Sequence, residues 1–329
     1  MATLATTNLT LADWARRKDP NGKIDTIVEL LGQTNEILED MVFVEGNLET
    51  GHKTTVRTGL PSATWRMLNY GVQPSKSTTA QVVDTCGMLE AYSEIDKALA
   101  DLNGNTAAFR LSEDRAFLET MNQQMAQTLF YGNTAQYPER FLGLAPRYGA
   151  LSGAASAANI ISGSGSSALS SVYLVCWGEN TVHGIFPKGS KAGFQHEDKG
   201  QQTLIDAAGG KYEGYRSHYK WDIGCVVRDW RYVVRIANID TSALVKNAAT
   251  GADLIDLMIQ AIETLPNQSM GKPVFYVNQK IRSFLRRQIM NKTVTQLTLD
   301  NVAGKHVLSF DGIPVRRCDQ ILNTETQIS

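Results

Sequence analysis

Apolar positions fall at helical spacing in some stretches and alternate or run together in others. A short helix is predicted near Thr10, with Asp13 three residues on. The polar run from Arg16 to Gly22 breaks it. From Asp25 to Asp40, Ile27, Leu30, Leu31, Ile37 and Leu38, with Met41 just beyond, fall on one helical face. Residues 41–44 and 53–58 predict strands around a polar turn at Glu45-Gly46-Asn47, and the alternation of Thr54, Val56 and Thr58 with Thr55 and Arg57 predicts a half-exposed ribbon. Such a hairpin is marginal alone and needs something to pack against. Met88, Leu89, Tyr92, Ile95, Leu99 and Leu102 predict a helix stopped by Asn103-Gly104. Phe117, Leu118, Met121, Met125 and Leu129 predict a longer one from Ser112 to Tyr131, about 30 Å at about 1.5 Å per residue. Strands are expected over 171–177 and 182–186, and in two segments between Gly224 and Ile239. An amphipathic helix over 252–265, a buried strand at 274–277, a helix capped by Asn278, and a strand–turn–strand unit over 306–316 complete the chain. No internal repeat is visible.

Composition narrows the classes. The 329 residues include 43% hydrophobic and 20% charged residues, enough for one large domain or a few smaller ones. Lysine and arginine total 32 against 33 acids, a formal net charge of −1. A dedicated nucleic-acid binder carries a clear basic excess, which this chain lacks. Near-neutrality also leaves little repulsion between copies. Cys86, Cys176, Cys225 and Cys318 are spaced too irregularly for a zinc ligand set or a disulfide framework, and free buried thiols are expected. The N-terminus reads as no secretory signal. No apolar run approaches ~18 residues, so no membrane span is expected.

The candidate chemistry is sparse. The Gly/Ser/Ala-rich stretch 149–170 is expected to be a flexible connection. No Lys-Ser or Lys-Thr pair follows it, so it does not read as a phosphate loop. His196-Glu197-Asp198 lacks a second histidine one helical turn on and reads as a solvated turn. His52, His183, His196, His218 and His306 are scattered. Asp222, Asp229 and Asp240 read as turn and cap residues more readily than as paired acids. No cofactor is expected. Lys280, Arg282, Arg286, Arg287 and Lys292 form the best basic face, suited to phosphate or to an acidic partner. Arg16, Arg17 and Lys18 form a smaller patch.

Four groups of residues carry a family resemblance. They are the β-rich stretches 175–200 and 221–240; Leu129-Phe130-Tyr131-Gly132-Asn133 with Pro138 to Leu144; Ser309 to Asp319 around Gly312-Ile313-Pro314-Val315; and Leu322 to Thr326. Together these resemble the major capsid proteins of tailed bacteriophages, in a podovirus-like subfamily. The resemblance implies an α+β Hong Kong 97-like fold. Its parts would be an N-terminal arm (1–40), an extended E-loop (41–87), a peripheral domain (88–240, with a spine helix about 112–131 and a β-rich part 171–240) and an axial domain (241–329). A strand of peripheral character, 224–238, precedes the helix at Ala252, so a permuted connectivity is expected.

The implied function is structural and non-enzymatic: self-assembly into an icosahedral head shell around phage DNA. The implied partner is the chain itself, in hexamers and pentamers. A separate scaffolding protein, a portal, a decoration protein and non-specific contact with double-stranded DNA complete the partners, with no membrane. The implied location is the virion head, assembled in the bacterial host cytoplasm. Expected contact residues are Phe43, Val44, Lys53, Thr54, Val56 and Arg57 on the loop, and Trp14, Arg16 and Arg17 on the arm. An encapsulin-like compartment shell and a hydrolase with an Asp/His site remain the alternatives.

Overall fold

The computed structural model describes residues 9, 32–104, 106–206, 208–244, 253–289, 297–302 and 305–329, with backbone alone at 103, 288–289, 297–302 and 305–307. Its centre is strand β6 (Leu169–Trp177), in which every residue is buried. It is flanked by β10 (Val233–Asp240) and β11 (Lys272–Val277), both antiparallel to it. A strand covered on both faces reads as a continuous apolar run, because neither set of alternating side chains meets water. Tyr173, Val175 and Trp177 pack on one side with Met125, Leu129 and Phe130 of helix α3 (Thr106–Tyr131) and with Leu144 and Tyr148 at α4 (Leu144–Arg147). Val172 and Leu174 face the other way, onto α5 (Leu254–Thr264) and α6 (Gln279–Ile289).

The sheet continues from β11 to β14 (Ile313–Arg317), β13 (Lys305–Phe310) and β12 (Leu297–Val302) on one side. On the other it continues to β7 (Val182–Phe186), β9 (Lys211–Val227) and β4 (Gly87–Asp96). Strand β1 (Phe43–Glu45) adds to β7, β5 (Ile160–Ser162) to β10, and β8 (Phe194–Ile205) to β9. The β13–β14 turn has Asp311 at φ 50° and Gly312 at φ 76°, the two left-handed positions of a type I′ hairpin. Asn278 caps α6 by accepting the Ile281 amide at 2.9 Å.

Several expectations are corrected. The helix predicted over 88–102 is strand β4, followed by one helical turn, α2 (Lys97–Ala100). Ser93 and Ile95 point inward while Met88 and Tyr92 lie exposed, and ten residues pair in register with β9. Counting two solvent-facing side chains as core produced a false helical stripe, and cross-strand pairing overrode local propensity. Of the helix predicted over 25–40, the described part holds only the turn α1 (Ile37–Asp40), because 33–36 run beside the C-terminal segment instead. The helix predicted near Thr10 lies outside the described residues.

Residues 149–170 are pinned, since the Gly163 and Gly165 amides donate to the carbonyls of Ala237 and Asn238 at 2.8 Å. His196-Glu197-Asp198 is not a turn but part of β8. The expected separation of a peripheral sheet at 224–238 does not hold. Residues 224–227 pair with β7, whereas 233–240 pair with β6 and join β11 and β14 in one sheet that runs across the 240/241 boundary.

Candidate assembly surface

A two-stranded ribbon leaves the body at Gly51. Strand β2 (Gly51–Gly59) pairs antiparallel with β3 (Thr78–Thr85), and residues 60–77 close the loop. The root is tight. A Cβ on Gly51 would lie 2.1 Å from the Asp84 carbonyl oxygen, so only glycine fits there. Asn47 accepts the Lys53 amide at 2.7 Å and returns a side-chain N–H to its carbonyl at 2.8 Å, imitating a strand partner. Farther out, no described residue covers the ribbon's large apolar side chains. Trp65 is fully exposed at 102%, Leu68 at 85% and Leu60 at 81%, and Met67, Tyr70 and Val72 join them. From residue 50 to 83 the only charges are Lys53, Arg57, Arg66 and Lys76, with no acid.

Of the expected loop contacts, Lys53, Thr54, Val56 and Arg57 lie on β2. Phe43 and Val44 do not: they belong to β1, paired in parallel with β7 in the body, where the Phe43 ring packs against Gly184. Hydrophobic strand-like residues beside a polar turn suggested a hairpin, but the true partner of β2 is polar, weakly patterned β3. Trp14, Arg16 and Arg17 of the arm, and Lys292 of the basic face, lie outside the described residues. On α6, Lys280, Arg286 and Arg287 are exposed, whereas Arg282 turns back to Glu36 at 3.6 Å.

The motif leaving the spine helix has a clear physical role. The Gly143 amide donates to the Gly132 carbonyl at 2.8 Å. A Cβ on Gly143 would meet the Thr128 oxygen at 2.6 Å and the Gly132 nitrogen at 2.8 Å. Two backbones therefore cross without side chains between them, and Phe141 is buried beside the crossing. The chain then reaches Arg147, which binds Asp84 of β3 at 2.6 Å and also donates to the Cys225 carbonyl at 3.1 Å and the Leu142 carbonyl at 3.3 Å. One partly buried guanidinium thus ties the spine exit and β9 to the ribbon root.

A second buried ion pair was not legible in the sequence. Arg235 meets Glu325 at 2.9 Å with both side chains 5% exposed, and donates to the carbonyls of Tyr148 at 2.8 Å and Ala145 at 3.2 Å. Glu325 also accepts from Tyr131 and Ser171. Burial, then the nearby Tyr173 phenol and Glu325, push the Tyr131 hydroxyl far above its ordinary range, so it stays a neutral donor.

Several of the scattered polar residues have structural partners. His218 stacks on Tyr92 at 4.4 Å and His196 on Tyr219 at 4.9 Å. Asp222 pairs with Lys220, Asp229 with Arg231, and Asp240 accepts from Ser242 and Ser167. All four cysteines are free. Burial pushes the Cys176 thiol up to about 11 and the Cys225 thiol to about 12, which makes them inert packing groups.

Comparison with known proteins agrees with this architecture. A family model described as Major capsid protein GP7 matches residues 19–329. Among solved structures, a chain of the near-atomic cryo-EM structure of bacteriophage Epsilon15 is 39% identical, with a TM-score of 0.78, over 100% of this chain and 99% of that one. A chain of the bacteriophage JBD30 capsid is 10% identical with a TM-score of 0.47, over 89% of this chain and 92% of that one, a similarity too low to bear on the argument. Among curated protein sequences none matches significantly. The fold is α+β of the Hong Kong 97-like capsid type, and the role is that of a structural head-shell protein that assembles with copies of itself in the virion. No described helix is long and apolar enough to cross a membrane. The chain belongs to the major capsid protein GP7 family.

Proposed function

We propose that the β2–β3 ribbon is the main clasp between subunits, and that Lys53, Thr54, Val56 and Arg57 with the 60–77 tip lie on a neighbouring copy within hexamers and pentamers. The observation that carries this is the exposed tip, with Trp65 at 102%. A soluble monomer rarely leaves so many large apolar side chains together in water unless a partner covers them. A two-stranded ribbon open on both faces also lacks the packing that stabilises a sheet. Because residues 50–83 of the ribbon carry four cations and no acid, its seat on the neighbour should be apolar with an acidic rim. Many such weak contacts, linked in a closed shell, act at high effective concentration and sum to a stable container.

The arm residues Trp14, Arg16 and Arg17 supply a second set of contacts. Lys280, Arg286 and Arg287 face double-stranded DNA phosphates or an acidic partner. A separate scaffolding protein guides assembly in the bacterial cytoplasm, with a portal at one vertex and a decoration protein outside. The shell works without turnover chemistry.

The test is electron microscopy of the full-length chain carrying Trp65→Ser, Met67→Ser and Leu68→Ser together. The expected result is soluble, folded, unassembled subunits. Closed shells at wild-type yield would overturn the clasp.

A further inference from the structure

We propose that His52, His183 and Arg228 form a proton-operated latch that holds the ribbon root to the body and releases it on acidification. This concerns the same ribbon, and its consequence for the shell rests on the clasp proposed above; the latch itself rests on the geometry of the single chain.

The three groups come from three places. His52 is on β2, His183 on β7, and Arg228 follows β9. The two imidazoles meet edge-on with ring centroids 5.8 Å apart, and the Arg228 guanidinium donates to His52 Nε2 at 3.2 Å. A ring nitrogen accepting from a guanidinium carries no proton there, so His52 is held in its neutral form. His183 is completely buried, and the one hydrogen-bonding group acting on its ring is the Gly178 backbone. The other charged groups around the root are Asp84 of β3 and Arg147 at the end of α4, and they pair with each other at 2.6 Å. Cys225 of β9 is neutral, and Glu45 of β1 is turned to the Gly189 amide at 2.9 Å. Among the described residues no carboxylate pairs with Arg228, and the partners of its guanidinium nitrogens are His52 and Asn180. Asp84 is thus the one carboxylate acting on His52 among the described residues, and it is already paired with Arg147, so the closed root has no further counter-ion for a second or third positive charge.

Burial first, then Arg228 and His52, bring the His183 imidazole down to about 4, with the Gly178 backbone acting the other way. His52 is lowered by burial and by Arg228, against Asp84. The sign follows. Opening the root lets both rings take protons from water at their ordinary value, so the closed form is fully favoured above about 6.5. It weakens as pH falls from there toward 4, and His183 adds no further loss below that.

Hydrogen–deuterium exchange on the full-length chain, unassembled and in shells, tests this. Rates are corrected for the intrinsic effect of pH. Between pH 7 and pH 4, root segments 51–55 and 82–86 of the unassembled chain should lose protection by on the order of 100-fold from His183 alone. Segment 169–177 of the central sheet should lose far less. His183→Leu should remove most of the difference. Arg228→Gln should shrink it too, because a protonated ring is then better tolerated in the closed form, and this second variant decides the matter if the first does not fold. An equal loss in root and central sheet, or an undiminished loss in a folded variant, overturns the latch and leaves the clasp standing. Conversely, if residues 60–77 gain no protection on shell formation, the clasp fails while the latch can still be read in the unassembled chain.

Discussion

Strand β6 and loop 60–77 are both rich in large apolar side chains, yet solvent treats them oppositely. Every residue of β6 is covered, by the spine helix on one face and by α5 and α6 on the other. The loop tip has Trp65, Leu68 and Leu60 in water. The body satisfies its own hydrophobic requirement within one chain, and under the clasp proposed above the ribbon does so with a second. Stability of the subunit and stability of the shell should therefore be separable by mutation, and their separation is the sharpest way to examine the comparison.

The largest loss of subunit stability is expected at the buried ion pair. Glu325→Ala leaves Arg235 charged at 5% exposure and removes the acceptor used by Tyr131 and Ser171. Breaking one side of a buried pair costs about 3–5 kcal/mol, because the remaining charge is stranded. Denaturant unfolding of the unassembled chain measures it. A loss below about 1 kcal/mol would mean that the body does not depend on this clamp.

Next comes the glycine crossing at the end of the spine. Gly143→Ala forces a methyl group to within 2.6–2.9 Å of three backbone atoms of α3 and its C-terminal turn, which can move only by shifting the helix end. Overpacking of this kind costs about 1–3 kcal/mol. A thermal melt matching wild type would show that the helix end relaxes freely.

Smaller still is Gly312→Ala in the β13–β14 turn. The methyl meets nothing, so the cost is only that of an L-residue at φ 76°, on the order of 1 kcal/mol. A loss comparable to that of Gly143→Ala would count against conformation as the sole cause.

These two glycines also show what the sequence carried. The spine-exit and Gly312-Ile313 segments were legible because each fixes a local backbone geometry that only a few residue types allow. Strands β6, β7 and β11 were legible because burial on both faces leaves runs that are mostly apolar. Strand β8 and the outer half of β9 were not. Their side chains are charged or aromatic, they stack and pair across the sheet, and no period separates them from loop. The β2–β3 pairing was hidden for a related reason: β3 is nearly all exposed, so nothing in its pattern announces a partner. Arg235 and Glu325 lie 90 residues apart, and only the fold brings them together.

The smallest effect on the subunit is expected at the ribbon tip, where the largest effect on the shell is proposed. Leu68→Ser alters a side chain 85% exposed. Removing apolar surface from water to water changes folding by no more than about 0.5 kcal/mol. Unfolding of the unassembled variant should overlay wild type, while the concentration needed for shell formation rises. If Leu68→Ser instead destabilised the unassembled subunit as much as Gly143→Ala does, the tip would be packing on its own body. The contrast between a self-sufficient sheet and a partner-dependent ribbon would then collapse.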